Sequence, residues 1–77
     1  MGVRDLREAF NAVAQASGYS CRTATMGYTK IEGVEWQRIA FSGNRPDGSP
    51  FTVEKDVPRE GDLLVAARAA AEQLIGG

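Results

Sequence analysis

The chain has 77 residues, which is one domain near the lower size at which a single hydrophobic core offsets the conformational entropy of folding. Hydrophobic residues make up 43% of the sequence and charged residues 25%, so the chain is too apolar to be intrinsically disordered. Nine basic and ten acidic side chains give a net charge of −1, which excludes a global positive field that would draw the protein to nucleic acid or anionic membranes. We therefore expect one small domain over residues 1–77, and a charged ligand would need a local patch.

The N-terminal sequence MGVRDLREAF is charged where a secretory signal peptide needs an apolar stretch. No apolar run approaches the roughly 18 to 20 residues that span a bilayer. These features predict a cytoplasmic protein without a membrane partner.

Cys21 is the only cysteine, and the chain has no histidine. An intramolecular disulfide is therefore impossible, and a zinc site built from Cys and His has too few ligands. We expect Cys21 to be a small buried apolar residue; an intermolecular disulfide is the alternative.

The first segment, residues 3–17, has the period of an amphipathic helix. Its apolar residues recur at intervals of three and four, and Gly18 stands where a left-handed residue ends a helix. The apolar positions are Val3, Leu6, Phe10, Val13 and Ala14. This pattern predicts a helix with one buried stripe.

Three strands are predicted next. YSCRTAT (19–25) is rich in β-branched and aromatic residues, VEWQRIAFS (34–42) has the strongest strand pattern, and FTVEKDV (51–57) alternates apolar and polar side chains. Gly27 and Gly33 predict a loop or a frayed strand end between the first two strands. GNRPDGSP (43–50) has the residues of a turn, so the second and third strands form a hairpin.

The last segment predicts a second helix. Pro58 suits the first turn of a helix, although Gly61 favours a regular start at Asp62, and DLLVAARAAAEQLI (62–75) places its apolar residues on one stripe. The order helix, three strands, helix predicts an α+β fold, in which two helices pack on one face of a three-stranded antiparallel sheet. The other face is left to solvent.

Trp36 raises the main question about function. Alternation along a strand puts Ile39 and Phe41 on one face, and Trp36 with Arg38 on the other. Either the solvent face presents Trp36 and Arg38 to a partner, or a bulge or an overlying loop at residues 27–30 returns Trp36 to the core.

The charged residues predict no catalytic site. Serine or cysteine nucleophiles usually need a neighbouring base, most often histidine, so we expect a protein that is not an enzyme and needs no cofactor or metal. An acidic cluster could be a solvated strand edge and helix start, a carboxylate pair for general acid and base work, a weak cation site or a partner surface. It consists of Glu54, Asp56, Glu60 and Asp62. Three arginines could form a modest basic patch on the sheet and its hairpin, or be ordinary solvated charges. They are Arg22, Arg38 and Arg45.

The order of elements over nearly the whole chain, with the alanine-rich stretch AARAAAEQLI (66–75), resembles the double-stranded RNA-binding domain. That family begins its second helix with a lysine cluster that contacts phosphates. The matching stretch here, residues 61–68, carries Asp62 and Arg68 instead, and Arg59 is the other nearby cation.

In general character the chain is also similar to the small accessory proteins of bacteriophages, including anti-CRISPR proteins, which are short, single-domain and cofactor-free. The resemblance implies an inhibitor that covers a surface of a larger protein complex, for which the acidic cluster would imitate nucleic-acid phosphates. The alternative is a nucleic-acid-binding module in which Trp36 stacks on bases. We expect a monomer or a homodimer, with the acidic cluster, the three arginines and Trp36 as the partner-binding residues.

Overall fold

A computed structural model describes residues 2–76 and contains two helices and one sheet. The predicted α+β fold and its order of elements are confirmed. The elements are helix α1 (Val3–Ala14), a 3₁₀ turn (Gln15–Ser17), strands β1 (Ser20–Ile31), β2 (Val34–Asn44) and β3 (Pro50–Pro58), and helix α2 (Leu63–Gly76).

Helix α1 and its 3₁₀ turn end where the sequence predicts. Gly18 has a φ of 84°, the left-handed region that favours glycine, and its N–H donates to the carbonyl of Gln15 at 3.0 Å. The N–H of Tyr19 donates to the carbonyl of Ala14 at 3.1 Å. The reversal at Gly18 therefore directs the chain from the helix into β1.

The sheet is an antiparallel meander in the order β1-β2-β3, so β1 and β3 are its edges. β1 is longer than predicted, because residues 27–31 pair with residues 34–38 instead of forming a loop. Glu32 and Gly33 close this hairpin with φ values of 51° and 81°. Two successive positive φ values give a turn whose twist matches that of the flanking strands, so both strands continue up to the turn.

The predicted turn between β2 and β3 is confirmed. The N–H of Arg45 donates to the carbonyl of Ser49 at 2.7 Å, and the N–H of Gly48 donates to the carbonyl of Arg45 at 2.9 Å. Asp47 Oδ1 accepts from the N–H and the hydroxyl of Ser49, and these bonds lower the pKa of the Asp47 carboxyl.

Both helices pack on the same face of the sheet, and the core lies between them and it. The ring of Phe10 from α1 stacks on Phe41 with centroids 4.5 Å apart, and on Phe51 at 5.9 Å. The small side chains of α2 let it approach α1 closely. Its buried residues are Leu63, Ala66, Ala67, Ala70 and Ala71.

Helix α2 begins one residue later than predicted, because Asp62 is its N-cap. Asp62 Oδ1 accepts from the N–H groups of Leu64 at 2.9 Å and Val65 at 3.2 Å. The prediction that Pro58 lies in the first helical turn is wrong: Pro58 ends β3, and its carbonyl accepts from the N–H of Gly61 in the turn that follows.

A bulge in β1 inserts Arg22 between Cys21, which pairs with Gly43, and Thr23, which pairs with Ser42. The thiol of Cys21 is buried on the helix side, as predicted, and burial raises its pKa. Over residues 2–76, neither helix combines the length and the hydropathy needed to cross a bilayer.

Candidate functional site

Trp36 lies on the face of the sheet opposite the helices, which we call the open face. β2 keeps a regular register from Val34 to Asn44, and Trp36 pairs with Thr29 of β1 and Pro58 of β3. Ile39 and Phe41, at odd-numbered positions, are buried under the helices. Trp36 is therefore directed to the open face, where it is partly exposed, and neither a bulge in β2 nor a loop over it returns it to the core.

Apolar residues continue from Trp36 to the end of the β1–β2 hairpin. Ile31 and Val34 face each other beside the turn and are 42% and 56% exposed. With Pro58 on the other side of Trp36, they form a short apolar surface, which we call the Trp36 strip (Ile31, Val34, Trp36 and Pro58). Trp36, Val34 and Pro58 also line a cleft of about 350 Å³ that reaches Glu60. A strip of this kind on a solvent face is typical of a contact surface.

Arg38 follows the strip on the open face and is held by two carboxylates of β3. Its Nε lies 2.7 Å from Asp56 Oδ1 and its Nη2 lies 3.1 Å from Asp56 Oδ2, which is a bidentate pair, and Glu54 Oε2 is 3.9 Å from Nε. The hydrogen bond with Arg38 lowers the pKa of Asp56, and the same bond raises the pKa of Arg38. The charge of Arg38 is therefore largely offset within the sheet.

The predicted acidic cluster is divided by the fold. Glu54 and Asp56 lie on the open face with Arg38, and Asp62 caps α2. Glu60 is exposed in the turn before α2 and lines the cleft beside the Trp36 strip. The four carboxylates thus have three different settings, and Arg38 offsets the charge of Asp56 on the sheet, so that the group of Glu54, Asp56 and Arg38 keeps one net negative charge.

The three arginines of the predicted basic patch are also spread along the molecule. Arg22 Nη1 donates to Asn44 Oδ1 at 3.3 Å, and Arg45 donates to the carbonyl of Pro50. Both lie at the Asn44 end of β2, eight residues from Trp36, which is about 26 Å along a strand. Arg22 and Arg45 therefore do not share a surface with Trp36, and Arg38 is the only one of the three beside the strip.

A second ion pair lies near the strip on the helix side of the hairpin. Arg59 Nη1 is 3.5 Å from Glu35 Oε2, and both side chains are exposed. Gln37 Nε2 donates to the carbonyls of Pro58 and Arg59 at 3.2 and 3.0 Å. These contacts fix the end of β3 against β2, so Pro58 is held beside Trp36.

Three residues of the strip were not predicted as site residues, namely Ile31, Val34 and Pro58. The sequence pattern predicts a loop or a frayed strand end at Ile31 and the first turn of a helix at Pro58, so it places neither residue beside Trp36. A hairpin turn is nevertheless indicated by the sequence TKIEGVEW (29–36). Two residues ending in Gly stand there between the apolar strand ends Ile31 and Val34, which fits a two-residue turn.

Among residues 2–76, no group of three or more Cys, Asp or Glu side chains is placed to hold a metal ion. Comparison with protein-family models, with curated proteins and with solved structures gives no match to this chain. The physical properties of the open face are therefore the basis for a functional proposal.

Proposed function

We propose that this chain is a non-enzymatic protein-interaction module that binds a larger protein through the Trp36 strip and Arg38. The observation that carries the proposal is the direction of Trp36: the only tryptophan of the chain lies on the solvent face of a regular strand. Tryptophan and arginine are the side chains most enriched at binding hot spots, because each covers a large area and keeps a polar group.

The strip and its ion pair have the layout of a small interface. The apolar centre is formed by Trp36 with Val34 and Pro58, and Arg38 with Asp56 adds a polar border on the same face. Apolar centres contribute most of the affinity, whereas border charges mainly set orientation and selectivity. A protein partner with an apolar pocket for the indole ring suits this surface.

More specifically, we propose that the module is an inhibitor that binds and blocks a functional surface of a larger host complex. The resemblance to anti-CRISPR and other small phage proteins suggests this role, because such proteins act by occupancy and need no active site. Glu60 is the one residue of the acidic cluster that lines the cleft with Trp36, and it would meet a basic partner there.

Nucleic-acid binding has less support. A module of that class needs uncompensated cations beside its stacking residue, since phosphate contacts supply most of its affinity. Here Arg38 is paired with Asp56 and Glu54, and Arg22 and Arg45 lie at the far end of the sheet. Of the two cations that line the cleft with Trp36, Arg59 is paired with Glu35, which leaves Lys30 as a single cation beside the indole ring. We therefore do not propose nucleic acid as the partner.

The test compares the protein complexes that the native chain, Trp36→Ala and Val65→Ala each capture from a cell lysate. Val65 is 54% exposed on α2, so its truncation controls for loss of an exposed apolar side chain outside the strip. We expect a specific protein complex with the native chain and with Val65→Ala, and its loss with Trp36→Ala. Retention of the same complex by Trp36→Ala, or retention of nucleic acid alone, would overturn the proposal.

Circular dichroism of each variant separates binding from folding. Because Trp36 is outside the core, Trp36→Ala should still unfold cooperatively. Its free energy of unfolding should fall by much less than the roughly 3–5 kcal/mol that truncation of a core aromatic residue costs. If Trp36→Ala does not fold, the native chain still tests the proposal, because its Trp36 fluorescence must change when the captured protein is added.

A further inference from the structure

We propose that β1 pairs with β1 of a second copy of this chain, in antiparallel orientation about Gly27, to join two sheets into one of six strands. β1 is an edge of the sheet, and its partner on the inner side is β2. The inference goes beyond the proposed function and does not depend on it, because it concerns the edge of the sheet rather than the Trp36 strip.

The outer edge of β1 presents regularly spaced backbone groups. Ile31 and Val34 flank a two-residue turn and form a hydrogen-bonded pair, so the N–H and C=O of Ile31 point to β2. These backbone groups alternate in direction from one residue to the next along a strand. The N–H and C=O of the even-numbered residues 24–30 therefore point away from β2. At the start of the strand, the side chain of Asn11 occupies the outward N–H and C=O of Cys21. The edge open to pairing is therefore residues 23–31.

Residues 23–29 of this edge lack the features with which proteins block their edges, and Lys30 is the one charged residue of the open segment. TATMGYT (23–29) has no charge and no proline, and it contains exposed apolar side chains. Met26 is 42% exposed and Tyr28 is 82% exposed, both on the helix side of the sheet and outside the core cluster. An exposed edge of this composition is a template for pairing with another strand.

The midpoint of residues 23–31 is Gly27, so two copies overlap fully when Gly27 lies opposite Gly27. In that register Met26 of each copy lies opposite Tyr28 of the other, on the same side of the sheet. Methionine sulfur and aromatic rings attract each other, and each pair would cover the most exposed side chains of the edge. Thr25 lies opposite Thr29 on the open face.

The charges beside the segment agree with the same register. By count along the chain, Arg22 of each copy falls beside Glu32 of the other at both ends of the pairing, and the guanidinium of Arg22 exchanges its 3.3 Å bond to Asn44 Oδ1 for this carboxylate. Glu32 would also approach a cleft of about 240 Å³ lined by Arg4, Arg7 and Arg22. A register centred on Met26 instead would put Arg22 opposite Lys30, so like charges disfavour it. The side chains and charges along the edge of β1 therefore fit a second copy of this chain as the partner.

The first measurement is the mass in solution by sedimentation equilibrium over a wide concentration range. We expect a monomer of 8.3 kDa at low concentration and a species of twice that mass as the concentration rises. A mass of 8.3 kDa at every concentration would overturn the proposal. Trp36→Ala should dimerise like the native chain, so failure of this inference and failure of the proposed function are distinguishable.

Disulfide trapping tests the register. Gly27→Cys and Thr25→Cys are each made with Cys21→Ala and exposed to oxidised glutathione; a side chain at position 27 meets no atom within 4 Å. Opposed residues of a non-hydrogen-bonded pair have Cα atoms about 4.5 Å apart, within the range of a disulfide. We expect Gly27→Cys to cross-link at least about tenfold faster than Thr25→Cys. Equal rates would overturn the register.

Charge exchange supplies the second test of the register. Arg22→Glu and Glu32→Arg should each weaken dimerisation about tenfold, since each opposes like charges at both ends of the pairing. The double variant restores opposite charges and should recover the native dissociation constant. Additive weakening in the double variant would contradict the pairing of these two residues.

Discussion

The side-chain amide of Asn11 bonds both backbone polar groups that Cys21 directs away from β2. Asn11 Nδ2 donates to the carbonyl of Cys21 at 3.0 Å, and Asn11 Oδ1 accepts from the N–H of Cys21 at 2.8 Å. One side chain of α1 thus replaces a missing neighbouring strand at the start of β1. It also fixes α1 against the sheet edge, next to the buried thiol.

We expect Asn11→Ala to destabilise the fold by about 1–3 kcal/mol, because it leaves a backbone donor and acceptor of a buried residue without their partner. Urea unfolding measures the change in free energy. Hydrogen exchange at the Cys21 amide should accelerate by a larger factor than the decrease in the global free energy of unfolding explains.

Asn11→Asp is the matched control for this prediction. A carboxylate keeps the acceptor for the Cys21 N–H but loses the donor to its carbonyl, so its stability should be intermediate. An Asn11→Ala variant as stable as the native chain would show that water replaces the amide at no cost.

Gly43 is required by the close approach of β1 at the bulge. A Cβ atom at Gly43 would lie 1.9 Å from the carbonyl oxygen of Ser20 and 2.8 Å from Cys21 Cα, and both are backbone atoms. Backbone cannot move aside as a flexible side chain does, so the bulge leaves no room for any other residue.

We expect Gly43→Ala to cost about 3 kcal/mol or more, as overpacking against a fixed backbone does. Gly27→Ala is the control in the same sheet, because its added methyl group meets no atom within 4 Å; its effect should be within about 0.5 kcal/mol. Thermal unfolding at low concentration measures both variants. Similar losses of stability at the two positions would contradict the steric explanation.

The sequence predicts the parts of this fold that depend on local patterns. The period of residues 3–17 predicts α1, and Gly18 predicts its end; both features depend on residues a few positions apart, and the structure confirms them. The parity of Trp36 against Ile39 and Phe41 left two alternatives, the solvent face or the core, and the regular register of β2 decides for the solvent face.

Local sequence patterns do not predict the features that depend on the register between strands. Whether Asp56 meets Arg38 depends on the length of the 45–49 turn, and whether Ile31 meets Val34 depends on how tightly Glu32 and Gly33 turn. Glu-Gly is not the Asn-Gly or Asp-Gly pair that usually marks such a turn, and Gly27 suggested a break in the strand. The acidic cluster and the basic patch were therefore predicted from sequence neighbours, whereas pairing across the sheet decides their surroundings.

The ion pair of Arg38 and Asp56 has a measurable consequence for titration. Arg38 lowers the pKa of Asp56 through a bidentate hydrogen bond and its charge, compared with about 3.9 for an unperturbed aspartate. A lowered pKa in the folded state means that Asp56 contributes stability above its unfolded pKa. That contribution is lost as the pH falls through the lower pKa of the folded state.

Arg38→Met keeps the apolar stem of the side chain and removes its charge and donors, so the pKa of Asp56 should rise towards the ordinary value. Carboxyl carbon shifts of Asp56, followed by NMR across the acid range, measure the change directly. Arg59→Met removes the ion pair with Glu35 instead, on the other face of the sheet, and should leave the titration of Asp56 unchanged. Salt should reduce the difference between native and Arg38→Met, since the pair is exposed to solvent. If Asp56 titrates at the same pH in the native chain and in Arg38→Met, the pair does not persist in solution, and Arg38 is then a free cation beside the Trp36 strip.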